Sequence, residues 1–259
     1  MVGGCKVTHF FVSLSIMKCL ILAAGYATRL YPLTENFPKP LLKVGDKTIL
    51  DHLIDDIKSN CQITEFAVVT NHKFAPIFEQ WAAERVTVVD DGTSTNETRL
   101  GAVRDIQFAI DTLSLDDDLL VIAGDNVLDF SFAKFTRYAQ QKSASCIMRY
   151  YEPEPARLSR SGVVQIDEDD RVLSMQEKPQ DPKSNWCCPP FYFYSRNDVP
   201  KVAQAIAEGC AIDAPGSFIS WLCTKSPVYS MEMPGKRYDI GNLESYKLVC
   251  ETYKGITEI

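Results

Sequence analysis

The chain has 259 residues, 46% hydrophobic and 24% charged, enough to bury a full globular core. Its formal net charge is −7 and its basic residues are scattered, which argues against a nucleic-acid partner. No apolar run reaches the ~20 residues of a membrane span, so no membrane partner is expected either. From residue 18 onward, apolar runs alternate with helical periods. The run CLILA (19–23) predicts a buried strand, and Ile49, Leu53, Ile54 and Ile57 fall at helical spacing. FAVVT (66–70) predicts a second strand, 74–81 a helix and 86–89 a third strand. Residues 100–113 form a helical pattern with Ala102, Ile106, Ala109 and Ile110 on one face. LLVIA (119–123) predicts a fourth strand, followed by a helix over 132–141. Such alternation predicts right-handed βαβ units and a mostly parallel sheet covered on both faces. Ligands then bind beyond the carboxyl ends of the strands.

After about residue 144 the rhythm changes. Strands are predicted over 146–150, 162–166, 172–176 and 191–194, with helices over 199–208 and 243–252. This half extends the sheet and walls a pocket. The expected organisation is a single domain over 17–259, preceded by an extension over 1–16 that lies outside the fold. Nine cysteines include no C-x-x-C pair, and Cys187 and Cys188 are adjacent. They suit buried thiols in a reducing cytoplasm better than a disulfide framework or a zinc site. The histidines His9, His52 and His72 are not spaced as metal ligands.

The most informative segment is LAAGYATRLYPLTENFPKPL, residues 22–41. A buried strand ends in Ala23, Ala24 and Gly25, small residues that let backbone N–H groups approach a phosphate. Gly25 is also free to take a dihedral closed to other residues. Arg29 follows, and Lys39 sits between two stiffening prolines. Backbone donors, a guanidinium and an ammonium make a sensible triphosphate cradle. Gly25 and Arg29 alone fit a plain βα turn with surface cations better. The segment is neither a G-x-G-x-x-G nor a Walker A loop.

The whole segment resembles the signature of the sugar-1-phosphate nucleotidyltransferases, nucleoside-diphosphate-sugar pyrophosphorylases of the glucose-1-phosphate thymidylyltransferase kind. That signature is L-A-A/G-G-x-G-T-R-L-x-P-L-T followed by P-K-P/A-L. Ala27 departs from it, standing where the family has glycine. The resemblance implies a three-layer α/β/α, Rossmann-like fold with a mostly parallel mixed sheet. It assigns the triphosphate to Leu22, Ala23, Ala24, Gly25, Thr28, Arg29 and Lys39. Gly124-Asp125-Asn126, at the end of the fourth strand, otherwise reads as an Asx turn. By resemblance Asp125 is a Mg²⁺ ligand, and Asp239 in Y-D-I-G-N is the second. Asn242 itself reads as a helix cap. Ser161-Gly162-Val163-Val164 and Glu177-Lys178-Pro179 look like the family's Y-G-V-V…E-K-P pair, although E-K-P alone is common surface sequence. They imply that Gly162 lets the acceptor approach, that Glu177 accepts its hydroxyls and that Lys178 holds its phosphate. Asn185 matches a further acceptor position. Pro190 replaces a family glycine, and the Cys187-Cys188-Pro189 wall is unusual. Asn96 and Gly101 occupy the family's base-reading Q-x-x-x-x-G, with Asn for Gln.

The resemblance therefore implies nucleotidyl transfer from a pyrimidine nucleoside triphosphate to a sugar 1-phosphate. Arg29, Lys39 and Lys178 would be the catalytic cations. Two other readings stay open: a CTP-dependent cytidylyltransferase acting on phosphocholine or a phosphonate, and a non-catalytic nucleotide-binding regulator. The oligomeric state is not readable, and no hexapeptide-repeat domain is expected to follow.

Overall fold

The computed structural model describes residues 17–63 and 65–257, so the expected extension over 1–16 lies outside the described residues. Chain order begins with β1 (Met17–Leu22), β2 (Lys43–Val44), β3 (Lys47–Thr48) and α1 (Ile49–Asn60). β4 (Glu65–Thr70), α2 (Ala75–Ala82), β5 (Thr87–Asp90), α3 (Ala102–Leu113) and β6 (Asp118–Ala123) follow. Next come β7 (Asn126–Leu128), α4 (Ala133–Lys142), β8 (Ser145–Tyr151), α5 (Pro155–Leu158), β9 (Gly162–Ile166) and β10 (Val172–Glu177). The last elements are β11 (Trp186–Cys188), β12 (Phe191–Tyr194), α6 (Lys201–Ala207), α7 (Gly216–Leu222), β13 (Val228–Glu232), β14 (Arg237–Asp239) and α8 (Leu243–Thr252).

A ten-stranded sheet runs in the order β10-β9-β11-β8-β12-β6-β1-β4-β5, with β13 also paired to β8. β1, β4, β5, β6, β8, β9 and β13 point one way, and β10, β11 and β12 point the other. The sheet is mixed and mostly parallel, as the alternation predicts. β1 lies between β4 and β6, and cores on both sides of the sheet cover the two faces of its apolar run. Cys19 and Ile21 face one core with Leu50, Leu53, Phe78 and Phe135, from α1, α2 and α4. Leu20 faces the other with Ile106, Val202 and Phe218, from α3, α6 and α7. This is the three-layer α/β/α architecture. The register ends β1 at Leu22, opposite Val69 of β4 and Ala123 of β6. The loops after these strands therefore open at one edge.

Local signals explain the helix ends. α1 starts at a capping box, in which Thr48 accepts from the Asp51 amide and the Asp51 side chain accepts from the Thr48 amide. Asn242 caps α8 by accepting from Ser245 N at 2.8 Å, as its sequence position suggests. Eight of the nine cysteines are described and all are free; Cys250 is exposed, against the expectation of burial throughout.

Two carboxyls interrupt the apolar pattern beside α3. Asp91, just after β5, and Asp105, in the first turn of α3, are only 7% and 6% exposed. Each keeps one buried oxygen without a hydrogen-bond partner among the described residues. Burial, and then the Asp91 charge, push the Asp105 carboxyl up to about 7. Burial also raises Asp91, against hydrogen bonds from Thr93. The folded protein then binds more protons than the unfolded chain between about pH 4 and 7, so stability falls as pH rises through that window. Asp105→Asn should recover on the order of 1–3 kcal/mol at pH 8 and flatten the dependence of Tm on pH. An Asp105→Asn protein that still loses Tm between pH 5 and pH 8 as the parent does would contradict this assignment.

Candidate active site

The loop after β1 is held from beneath. Ala23 N donates to Val69 O at 2.9 Å, and Gly124 N donates to Leu22 O at 3.0 Å. Asn71, fully buried just past β4, donates Nδ2 to Ala24 O at 3.0 Å and accepts the Phe74 amide on Oδ1 at 3.1 Å. With the shoulders pinned, the amides of residues 24–29 find no acceptor among the described residues. A row of unused donors at a strand end is suited to phosphate oxygens. Arg29 and Thr28 are exposed beside it, and Arg29 makes no ion pair among the described residues.

The special backbone position is not Gly25. Its φ lies outside the left-handed region, and the space a Cβ would fill there is open. Ala27 is the left-handed residue, at φ 47° and ψ 42°. Its carbonyl accepts from Leu30 N at 3.0 Å and from the buried Thr34 hydroxyl at 2.8 Å, and these bonds hold the turn. An L-residue there carries a cost of about 1 kcal/mol that glycine does not.

The cleft floor is built from strand-end residues. Lys39 lies in a 3₁₀ turn, Lys39–Leu41, between Pro38 and Pro40. Its side chain is 9% exposed, and Nζ donates to Asp125 Oδ2 at 2.8 Å. Asn126, also buried, donates Nδ2 to the other oxygen, Oδ1, at 2.6 Å. Loss of solvent pushes the Asp125 carboxyl up; Lys39 and then Arg237 more than offset this and hold it below the usual carboxylate range. The short antiparallel pair β7–β14 sets Asp239 opposite Asn126, the residue after Asp125. Asp239 is exposed and Asp125 is 41% open. Among the described residues no group of three His, Cys, Asp or Glu is arranged to hold a metal. Two accessible carboxylates nevertheless match Mg²⁺, which takes one or two carboxylates and completes its shell with phosphate and water oxygens.

The residues expected to bind the acceptor lie around the ends of β9, β10 and β11. Glu177 ends β10, and burial raises its pKa against the nearby Lys178 charge. Lys178 is exposed and left-handed at φ 48°, with its amide donated to Ser161 O at 3.0 Å. A Cβ on Gly162 would sit 2.5 Å from the Met175 methyl and 3.4 Å from Glu177 Oε2. A Cβ on Gly216 would collide with the same two groups. Glycine at both positions lets Glu177 lie between them. Asn185 instead donates Nδ2 to Glu152 O at 2.9 Å, tying the start of β11 to the end of β8. Asn96, expected to read the base, is exposed and accepts Arg99 Nη1 on Oδ1 at 3.0 Å; Arg99 Nη2 reaches Asp213 Oδ1 at 2.7 Å. Gly101 caps α3 at φ 92°, and a Cβ there would lie 2.7 Å from Ile212 O. Chain packing alone therefore demands glycine at 101. The Tyr26 hydroxyl, donating to Thr93 O at 3.4 Å, joins the base loop to the phosphate loop.

Asn71, Gly216 and Arg237 were not singled out from sequence. Arg237 did have a signal, standing two residues before Asp239 on a strand and so on the same face. The loop geometry carries one stability test. Ala27→Gly should raise stability by about 0.5–1 kcal/mol, seen as a higher Tm; a lower Tm would count against a left-handed Ala27.

Comparison with known proteins places this chain in a family. The nucleotidyl transferase family model matches residues 18–254. A glucose-1-phosphate thymidylyltransferase of Mycobacterium tuberculosis is 31% identical over 196 residues, 73% of this chain and 65% of that protein. A glucose-1-phosphate adenylyltransferase of Fervidobacterium nodosum is 27% identical over 248 residues, 88% of this chain and 59% of that protein. The chain thus spans less than two thirds of each of these curated relatives. A solved UDP-glucose pyrophosphorylase in complex with UDP-glucose shares the fold at a TM-score of 0.76 and 20% identity, covering 92% of this chain and 98% of that one. Among the described residues no helix is long and apolar enough to cross a membrane. The chain belongs to the nucleotidyl transferase family.

Proposed function

We propose that the protein transfers a nucleotidyl group from a nucleoside triphosphate to a sugar 1-phosphate and releases pyrophosphate. One observation carries this reading: the Lys39–Asp125 pair follows β6 at the edge where the loop of unused amides follows β1, with Asp239 opposite Asn126 on the paired β14. An acceptor phosphate oxygen forms a bond to the α-phosphorus in line, and the bond to the pyrophosphate leaving group breaks. The nucleophile is already anionic, so the protein positions and neutralises rather than activates. The loop amides, Thr28 and Arg29 hold the triphosphate; Lys39 stabilises charge developing on the leaving group. Glu177 accepts acceptor hydroxyls in the space kept by Gly162, and Lys178 draws in its phosphate; Asn185 holds the wall through Glu152. Asp125 and Asp239 would hold Mg²⁺, whose chemistry here is charge neutralisation on phosphate oxygens. The free thiols fit work in a reducing cytoplasm.

The finer reading is a pyrimidine triphosphate. With Oδ1 of Asn96 engaged by Arg99, its amide nitrogen is left for a base edge in the reach set by Gly101. Pyrophosphate release from UTP, dTTP, CTP, ATP and GTP, each with glucose 1-phosphate, mannose 1-phosphate and phosphocholine, tests both levels. Release with a sugar phosphate and a pyrimidine triphosphate is expected. Release only with phosphocholine and CTP replaces the acceptor, and purine preference removes the base assignment. Asp125→Asn and Lys39→Ala should each lower kcat by about 100-fold or more while remaining folded; full turnover in both would sink the assignment. Gly216→Ala sets a methyl against Glu177, so the sugar-phosphate KM should rise about tenfold with the triphosphate KM unchanged.

A further inference from the structure

Arg237 is a cation near Asp125 to which the sequence alone assigns no role. It begins β14, two residues before Asp239, and so projects to the same face of the strand. Its Nη1 donates to Asn126 Oδ1 at 2.9 Å, and its guanidinium carbon lies 5.8 Å from the centre of the Tyr150 ring. Asn126 is in turn bonded to Asp125. The guanidinium therefore stands between the strand-end carboxylate and the wall of β8 and β11. Its field reaches the wall, opposing the burial-driven rise of Tyr150, Cys187 and Tyr192.

Arg237 is half-buried, yet no carboxylate among the described residues forms an ion pair with it. A guanidinium carries five N–H donors in a planar fork that matches phosphate oxygens in pairs. Asn126 and Tyr150 engage part of that fork and leave the rest of its donors for a ligand. A partly desolvated cation without a counter-ion is costly in the resting protein, and an anion delivered by a substrate offsets the cost. The side on which it stands decides which anion. The triphosphate loop, with Arg29, follows β1, whereas Arg237 leans on Tyr150 of β8, which only β11 separates from the Gly162 end of β9.

We propose that Arg237 binds the phosphate of the acceptor and presents it beside Asp125. The proposal rests on the nucleotidyl-transfer reading and deepens it. Lys178, exposed at the end of β10, then draws the acceptor in from solvent, while Arg237 fixes the phosphate at the reacting end. Arg237 thus supplies orientation as well as charge, since a fork fixes two oxygens where an ammonium fixes a point.

The test uses the full chain and the variants Arg237→Gln, Arg237→Lys and Arg237→Ala. Loss of the fork in Arg237→Gln should raise the sugar-phosphate KM about 30-fold or more with the triphosphate KM within about twofold. Arg237→Lys should fall between the two. Added guanidinium ion should restore part of the activity of Arg237→Ala, which a merely structural role for the side chain would not produce. Equal rises in both KM values, or a fall in kcat alone without guanidinium rescue, would overturn the proposal. Inorganic phosphate binding, followed by calorimetry without nucleotide, separates this from the broader reading. Wild-type binding that is lost in Arg237→Gln supports the anchor even if no sugar phosphate is turned over, in which case the transfer reading fails instead. Equal phosphate binding by both proteins rejects the anchor.

Discussion

The contact between Lys39 and Asp125 organises the rest of the cleft. An ammonium that is 9% exposed must find a counter-charge, and Asp125 supplies it at 2.8 Å. The contact joins two loops that are distant in sequence, one closing the β1 segment and one leaving β6. Prolines on both sides of Lys39 limit how that loop can move. Asn126 then holds the second oxygen of Asp125 and receives Arg237, so charge and hydrogen bonds run from Lys39 across to β14. The carboxylate stays ionised because these cations outweigh its loss of solvent.

A second constraint is room. Gly162 and Gly216 leave the Glu177 carboxyl space that any side chain would take. The β1 loop keeps its amides free because Asn71 and the neighbouring strands satisfy the carbonyls behind it. Both ends of the cleft are thus prepared by groups that need not touch a ligand. The proposed chemistry asks for little else, since phosphoryl-type transfer depends on placement and charge more than on a side-chain nucleophile.

Much of this was legible in the chain. The apolar runs of β1, β4 and β6 announce themselves because strands covered on both faces need continuous hydrophobic residues. The run 22–41 carries a local chemical signature, and Asp125 follows a strand in plain view. What escaped depends on long-range pairing. β7 and β14 are three residues each and have no period to read, yet their register brings Asp239 opposite Asn126. Arg237 gains its significance only once that pair forms. Gly216 carries no signal in the sequence; its need for glycine comes from the Glu177 carboxyl packed against it. Gly25 was credited with the unusual dihedral because glycine is the usual bearer of one; Ala27 carries it, held by Thr34.

The central claim is that the acceptor's own phosphate oxygen displaces pyrophosphate in a cleft that positions and neutralises. The most direct measurement is the stereochemical course at the α-phosphorus, using one diastereomer of an α-thio nucleoside triphosphate with the sugar phosphate. A single in-line displacement predicts inversion. Retention would require two displacements through a covalent nucleotidyl-protein intermediate and would contradict the account.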